Sequence, residues 1–258
     1  MNQDNEQMDA ALSAVIITHN AEAQLDTCLV SLALADEILI LDSGSDDGTE
    51  GIAKNHGARF LHQDWLGYGD QKQAAVDHAS HEWVLCIDAD EWLSDELSTS
   101  IQSALQNPSH QAYTFARCNR FMGRWLRHGE GYPDLGLRLF NRRHARWSDD
   151  PIHEKVIADC PVGRLDGDLM HESETSLEDY LAKQNRYTSL QAAQMYKCGK
   201  KAGVGKLLFN PVFRFVKFYL FRLGFLDGLP GLVHISIGCF NTFIKYAKLI
   251  ALHNKTKA

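Results

Sequence analysis

Two acidic clusters and one histidine carry the chemistry that can be read from this sequence. Asp88 and Asp90 follow Trp83-Val-Leu-Cys-Ile87, an apolar run with the character of a buried strand. Two carboxylates at such an end can hold a hard divalent cation through oxygen and leave positions for phosphate oxygens and water; a solvated turn has the same composition. Asp42 opens Asp42-Ser-Gly-Ser-Asp-Asp-Gly-Thr49, directly after Glu37-Ile-Leu-Ile-Leu41. Its carboxylate can accept hydrogen bonds from a ribose or base, while small residues let backbone amides approach a ligand; an ordinary turn with a helix cap is the other reading. His171, in Leu169-Met-His-Glu-Ser173, precedes a helix start able to orient phosphate, and a structural histidine would also fit there.

The elements that must position these groups alternate regularly. Leu12 to Thr18 reads as a buried strand, Ala21 to Ala35 carries Leu25, Cys28, Leu29 and Leu32 at helical spacing, and Glu37 to Leu41 is a second strand. Helices are expected near Gly48–Asn55, Asp70–Ala79 and Ser94–Gln106, with strands at Arg59–His62 and Trp83–Ile87. This is the pattern of an α/β fold with an open sheet, whose ligands bind beyond the carboxyl ends of the strands. Beyond Gln111 come strand-like pieces at 113–117, 137–140, 155–157 and 164–168. A long helix follows from a Thr175-x-x-Glu178 capping box to about Cys198.

The chain has 258 residues, 45% of them apolar, which suits one sizeable core and excludes a disordered or collagen-like protein. Its net charge of −7 is unevenly spread. Residues 197–258 carry eleven Lys/Arg and one acid, Asp227, against fifteen bases and thirty-two acids in residues 1–196. An acidic body argues against nucleic acid as a partner, whereas a basic, aromatic-rich tail suits an anionic membrane surface. The tail reads as two apolar helical segments, 205–223 and 228–252, broken near Asp227–Pro230. Its longest uncharged run is marginal for a spanning helix, so a helix pair lying in the interface is expected; helices packed as core or as a dimer interface are the alternative. Six widely spaced cysteines without a C-x-x-C pair indicate neither a zinc site nor a disulfide framework. Residues 1–10 are polar and acidic, a disordered start with no secretory signal, so a cytoplasmic protein is expected.

Three polar clusters, Val15-Ile-Ile-Thr-His-Asn20, Asp42 to Thr49 and Asp88-Ala-Asp90, thus close successive strands at one sheet edge. In this order they resemble the family 2 glycosyltransferases of GT-A fold, which use a nucleotide-diphosphate sugar as donor. Trp65-Leu-Gly-Tyr-Gly-Asp-Gln-Lys-Gln73, Pro151-Ile-His-Glu154, His171 and Asn185-Arg-Tyr187 are similar to the subgroup containing lipopolysaccharide-core β-1,4-glucosyltransferases. The resemblance implies a mixed, mostly parallel sheet flanked by helices over residues 11–200, followed by a membrane-associating helical tail over 201–258.

It further implies a metal-dependent, inverting transfer of a hexose, with glucose expected, from a UDP-sugar to a lipid-linked acceptor. The expected acceptor is the lipopolysaccharide inner core, and the expected place is the cytoplasmic face of the inner membrane. By resemblance, Thr18, Asn20, Glu22 and Asp42 lie near base and ribose, Asp88 near ribose or metal, and Asp90 on Mg2+ or Mn2+ with His171 as a further ligand. Lys72 would meet the diphosphate, although this chain has Gln71-Lys72-Gln73 where the family has an Arg-Asn pair; a solvated helix face is the alternative. An inverting transfer needs a carboxylate base, for which Glu130, Asp134, Asp149, Asp150 and Glu154 are the candidates. Glu154 is preferred because it matches the subgroup's His-Glu pair, Asp134 is held in reserve, and a surface salt bridge from Glu154 to Arg142, Arg143 or Arg146 is the bland reading. Arg138 would pair either with an acceptor phosphate or with one of these acids. The same chemistry on a polyprenyl phosphate or another envelope glycan, or a silent nucleotide-sugar-binding scaffold, would use the same sheet.

Overall fold

The computed structural model describes residues 10–149, 154–173 and 176–255. The chain divides into two compact units, Met1–Arg117 with Asp134–His171, and Cys118–Pro133 with Glu172–Ala258. The sequence boundary expected at residue 200 falls inside the second unit.

The first unit begins as a parallel sheet. Strands β1 (Leu12–Thr18), β2 (Glu37–Asp42), β3 (Arg59–His62) and β4 (Trp83–Asp88) alternate with helices α1 (Leu25–Ser31), α2 (Thr49–Asn55) and α3 (Tyr68–His78). They lie in the order β3-β2-β1-β4, all parallel, so the connections leave β1 and β4 in opposite directions and open a crevice at their carboxyl ends. After β5 (Glu91–Leu93) and α4 (Asp95–Gln106) come β6 (Ala112–Phe121), β7 (Arg124–Trp125) and β8 (Asp134–Asn141). Then follow β9 (Ala145–Trp147), β10 (Val156–Ala158) and β11 (Val162–His171). Strand β8 runs antiparallel to β4, which brings its first residue, Asp134, towards the edge where Asp88 ends. His171 pairs in register with Glu91, so β11 ends at that edge too.

Period-two alternation explains the layers. Ala14, Ile16, Ile40, Leu85 and Ile87 face one side with α1 and α4, while Val15, Leu39, Leu41, Val84 and Cys86 face the other with Ala75 and Val76 of α3 and Trp147 of β9. Both faces of β1, β2 and β4 are covered, which is why these strands read as continuous apolar runs. α1 is shorter than its spacing predicts because residues 20–22 are tied to the next loop: their amides donate to Ser45 Oγ, Thr49 Oγ1 and Asp47 Oδ2. Strands β5, β7 and β9, two or three residues each, are too short for any period to announce. Ser94 caps α4, and Ser176, not Thr175, caps the next helix by accepting from the Asp179 amide; Thr175 lies outside the described residues.

The second unit is helical: α5 (Leu177–Lys197), α6 (Val204–Phe215), a π-helical turn at Val216–Phe221, a 3-10 turn at Gly224–Asp227 and α7 (Gly228–Lys255). α7 packs along α5 and α6, burying Ile235, Thr242 and Leu249 at seven-residue intervals. Lys248 Nζ reaches Asn185 Oδ1 at 2.6 Å and Thr188 Oγ1 at 2.8 Å on α5. The tail's one acid is buried: Asp227 accepts from the backbone amides of Arg127 and His128 at 3.1 and 2.9 Å and meets His128 Nδ1 at 2.9 Å. α7 thus packs on α5 and α6 along one stripe while only 22% of its apolar stretch is buried, and α6 exposes Leu208, Phe209, Val212 and Phe213, with Phe213 71% accessible. Residues Gly224–Asn254 are long and apolar enough to cross a membrane by length and composition.

Candidate active site

Asp42 organises the loop after β2. Oδ1 accepts from Thr18 Oγ1 at 2.7 Å and Ser45 Oγ at 2.5 Å, and Oδ2 from the amides of Gly44 and Ser45, both at 2.8 Å. Gly44 makes this possible at φ +95°, a backbone that side chains disfavour. Burial alone would raise the Asp42 pKa, yet the bonds from Ser45, Thr18 and Gly44 outweigh it and hold the carboxyl below its ordinary value. All four acceptor positions are taken, so a direct contact from Asp42 to a ribose or base requires one of these bonds to be exchanged. Asn20 Oδ1 accepts from Asp46 N at 2.9 Å and Glu22 Oε2 from Gly48 N at 2.6 Å, so Thr18, Asn20, Glu22 and Asp42 together lock two loops into one rim.

Beside this rim lies a balanced charge network. Lys72 Nζ is 2.8 Å from Asp88 Oδ1, and Arg138 Nη2 is 3.5 Å from Asp88 Oδ2 and 3.9 Å from Glu91 Oε1. Arg117 joins Glu91 at 3.4 Å to Asp134 at 2.7 Å. Lys72 is only 7% exposed, so the solvated-face reading fails. At Gly69 a Cβ would lie 2.7 Å from the Ser148 carbonyl oxygen, so only glycine lets the chain after β9 approach the first turn of α3. The ammonium of Lys72 and the guanidinium of Arg138 also lie over the Trp147 ring, at 4.9 and 5.4 Å from its centre. Burial would raise the Asp88 pKa, but Lys72 and then Arg138 hold the carboxyl well below the usual carboxylate range. Arg138 was foreseen beside an acceptor phosphate or one of the base candidates; the acids it meets are instead Asp88 and Glu91.

Asp90 stands apart from the network. His171 Nε2 lies 3.2 Å from Asp90 Oδ2, and among the described residues no lysine or arginine pairs with this carboxylate. The three expected metal ligands are therefore only partly gathered: Asp90 and His171 converge, while Asp88 faces cations. Among the described residues no three His, Cys, Asp or Glu side chains form a metal-holding group. Asp90 supplies one carboxylate of the kind that holds a hard divalent cation together with substrate phosphates and water, while the His171 imidazole is a softer donor.

The base candidates separate clearly. Asp134 is tied to Arg117 at 3.0 and 2.7 Å, Asp149 to Arg146 at 3.3 Å, and Glu130 lies in the second unit, paired with Arg214. Asp150 and His153 lie outside the described residues. Glu154 is half-buried, its Cβ 3.5 Å from where a Gly69 Cβ would be, and among the described residues it forms no ion pair. The salt bridge foreseen as its bland reading is not made: Arg142 donates to the carbonyls of Val76 and Ala79, Arg143 pairs with Glu82, and Arg146 with Asp149.

Sequence reasoning missed Glu91, Arg117 and Trp147. Glu91 is fully buried and accepts from the Asp88 amide at 2.9 Å, which ties the two ends of the acidic turn together. The available signal was a third acid directly after the pair, and an arginine closing an otherwise apolar strand.

The mostly parallel sheet flanked by helices, with polar groups gathered at its carboxyl edge, has the GT-A architecture. Residues 13–158 match the model of glycosyl transferase family 2, and the chain belongs to that family: it is a glycosyltransferase. It is 32% identical over 251 residues to the lipopolysaccharide core biosynthesis glycosyltransferase LpsC of Rhizobium meliloti (strain 1021), with 94% of this chain and 93% of LpsC covered. It is 32% identical over 259 residues to the uncharacterized glycosyltransferase RT0209 of Rickettsia typhi, covering 95% and 89% of the two chains. Among solved structures, the mannosyltransferase PcManGT from Pyrobaculum calidifontis, in complex with GDP-Man and Mn2+, superposes with a TM-score of 0.53. It is 15% identical over 96% of this chain and 87% of that one, a likeness of fold.

Proposed function

We propose that this enzyme is an inverting, metal-dependent hexosyltransferase that moves a hexose, glucose in the first instance, from a UDP-sugar to the lipid-linked inner core of lipopolysaccharide. The observation that carries the reading is Asp90. At an edge where Lys72, Arg117 and Arg138 are matched by Asp88, Glu91 and Asp134, it alone keeps a carboxylate turned to an imidazole. Asp90 and His171 would hold Mg2+ or Mn2+, which when bound supplies positive charge for the leaving diphosphate. Thr18, Asn20, Glu22 and Asp42 shape the rim that receives base and ribose, and Lys72, held by Asp88 at 2.8 Å, would meet the diphosphate by exchanging that partner. Glu154 takes the acceptor hydroxyl proton as the acceptor oxygen bonds to the anomeric carbon; the bond from that carbon to the diphosphate oxygen breaks, and the electron pair leaves with the nucleoside diphosphate. The acceptor assignment is supported by the likeness to LpsC along nearly the whole chain.

We also infer that the enzyme works at the cytoplasmic face of a membrane, held there by α6. Its exposed Val204, Leu208 and Val212, with Phe209 and Phe213, recur at four-residue steps, and Lys206 within α6 with Lys217 and Arg222 in and after the following turn accompany them without an acid. Such a face suits an anionic lipid surface. The test of the reaction is Asp90→Ala assayed with a panel of nucleotide sugars and purified core acceptors, with linkage read by NMR. We expect transfer to fall at least ~10²-fold with the fold retained. Near-normal turnover of this variant at low metal concentration sinks the assignment.

A further inference from the structure

A cavity of about 320 Å³ lies wholly within the helical unit, bounded by α5, α6, α7 and Glu130. Its size is at the lower end of small-molecule sites, about 300–1,000 Å³, and so suits one compact ligand. The fixed part of the wall is polar and self-paired. Arg214 Nε donates to Glu130 Oε2 at 3.0 Å, and Asn241 Nδ2 donates to Gln184 Oε1 at 2.9 Å. Neither pair exhausts its members, since carboxylate, guanidinium and carboxamide groups each hold further donors or acceptors. Tyr180, Tyr187 and Gln191 line the same space, and their side-chain hydroxyls and carboxamide have no hydrogen-bond partner among the described residues. Tyr180 is in turn braced by Phe121 and His234, with ring centres 5.4 and 6.4 Å away.

This chemistry selects its ligand. The main cation, Arg214, is neutralised by Glu130, so a dianionic phosphate finds only Lys245 to balance it. The density of hydroxyl and amide groups disfavours an acyl chain, whose burial would leave them unpaired. Carboxamides, hydroxyls and an ion pair facing tyrosine rings are the complement of a neutral ring that carries hydroxyls on its rim and C–H groups on its faces. We propose that this cavity binds one pyranose ring of the acceptor saccharide. The proposal rests on the reading above that the acceptor is a glycan.

Binding is read on the full chain without donor, and KM is measured separately with donor present. Deacylated lipopolysaccharide core oligosaccharide, methyl glucopyranoside and inorganic phosphate are titrated by calorimetry and by ligand-observed saturation-transfer NMR. Tyr180→Phe and Gln191→Leu each remove hydrogen-bonding capacity while keeping shape. Each is expected to weaken saccharide binding by about 5–10-fold, and to raise the KM for a transferred acceptor by the same factor. If methyl glucopyranoside binds with this dependence while core oligosaccharide is neither bound nor transferred, the cavity stands and the acceptor reading falls. If core oligosaccharide is transferred with unchanged KM by both variants, the cavity assignment is overturned and the acceptor reading stands. Absence of saccharide binding, or equal competition by phosphate, also overturns the proposal.

Discussion

The two units spend their polar and apolar groups in opposite ways. At the carboxyl edge of the first, three cations and three carboxylates are matched at 2.7–3.9 Å, and one carboxylate, Asp90, is left to an imidazole. In the second, the lone acid of the tail is satisfied by three nitrogens, while large apolar side chains on α6 face outward, up to Phe221 at 80% exposure in the turn that follows. A site that must stabilise changing charge fixes its own charges beforehand. A surface that must meet a partner leaves apolar area uncovered. The contrast makes distinct demands on mutation.

The largest effect on stability is expected inside the network. Glu91→Ala leaves Arg117 and Arg138 without their shared acid, and should destabilise the protein by about 3–5 kcal/mol in urea unfolding. Asp90→Ala, outside the network, should change unfolding by less than about 1 kcal/mol while it abolishes transfer. Equal stability losses would erase the distinction between the two acids. Next, Glu154→Gln should leave donor affinity nearly unchanged and lower turnover by roughly 10²-fold; survival of turnover, with Asp134→Asn inactive, would move the base to Asp134. In the second unit, Phe209→Ser with Phe213→Ser should lower affinity for anionic vesicles by about tenfold or more and leave thermal unfolding nearly unchanged, because neither ring is buried. A lowered melting temperature with unaltered vesicle binding would return this face to a packing role.

The smallest effect concerns acid. Burial would raise the Glu37 pKa, but hydrogen bonds from Ser13, Ser80 and Arg59 bring it from 4.5 down to about 2. A pKa lowered in the native state means that these bonds stabilise the fold above the ordinary value and are lost as pH falls from about 4.5 towards about 2. Glu37→Gln should flatten the stability profile across that window, at a cost of about 1–3 kcal/mol near neutrality. A profile identical to that of the parent protein would show that Glu37 is not a source of acid sensitivity.

How much of this could be read beforehand depends on the range of each interaction. Strands β1, β2 and β4 and the acids that close β2 and β4 were readable, because buried parallel strands leave continuous apolar runs in the chain itself. The burial of Lys72 was not: Asp88 and Trp147, which its ammonium meets, lie 16 and 75 residues further along the chain. Arg117 and Glu91 were hidden for the same reason, since Arg117 meets Asp134 only through the register of β6 against β8. The tail's composition separated it from the body but was silent about which helix packs. The seven-residue spacing of Ile235, Thr242 and Leu249 distinguishes α7 only once α5 and α6 supply a surface to meet it.

Asp227 sets an order of events in time. Its carboxylate fastens the amides of Arg127 and His128, which lie 100 and 99 residues earlier in the chain. During synthesis at about 5–20 residues per second, the 127–128 segment therefore waits roughly 5–20 s for its partner, after the parallel strands have already emerged. The sheet's opening half can condense as it leaves the ribosome. The helical unit is completed only when nearly the whole chain has been made, so a nascent chain halted before Asp227 carries an unfinished loop in the middle of its sequence.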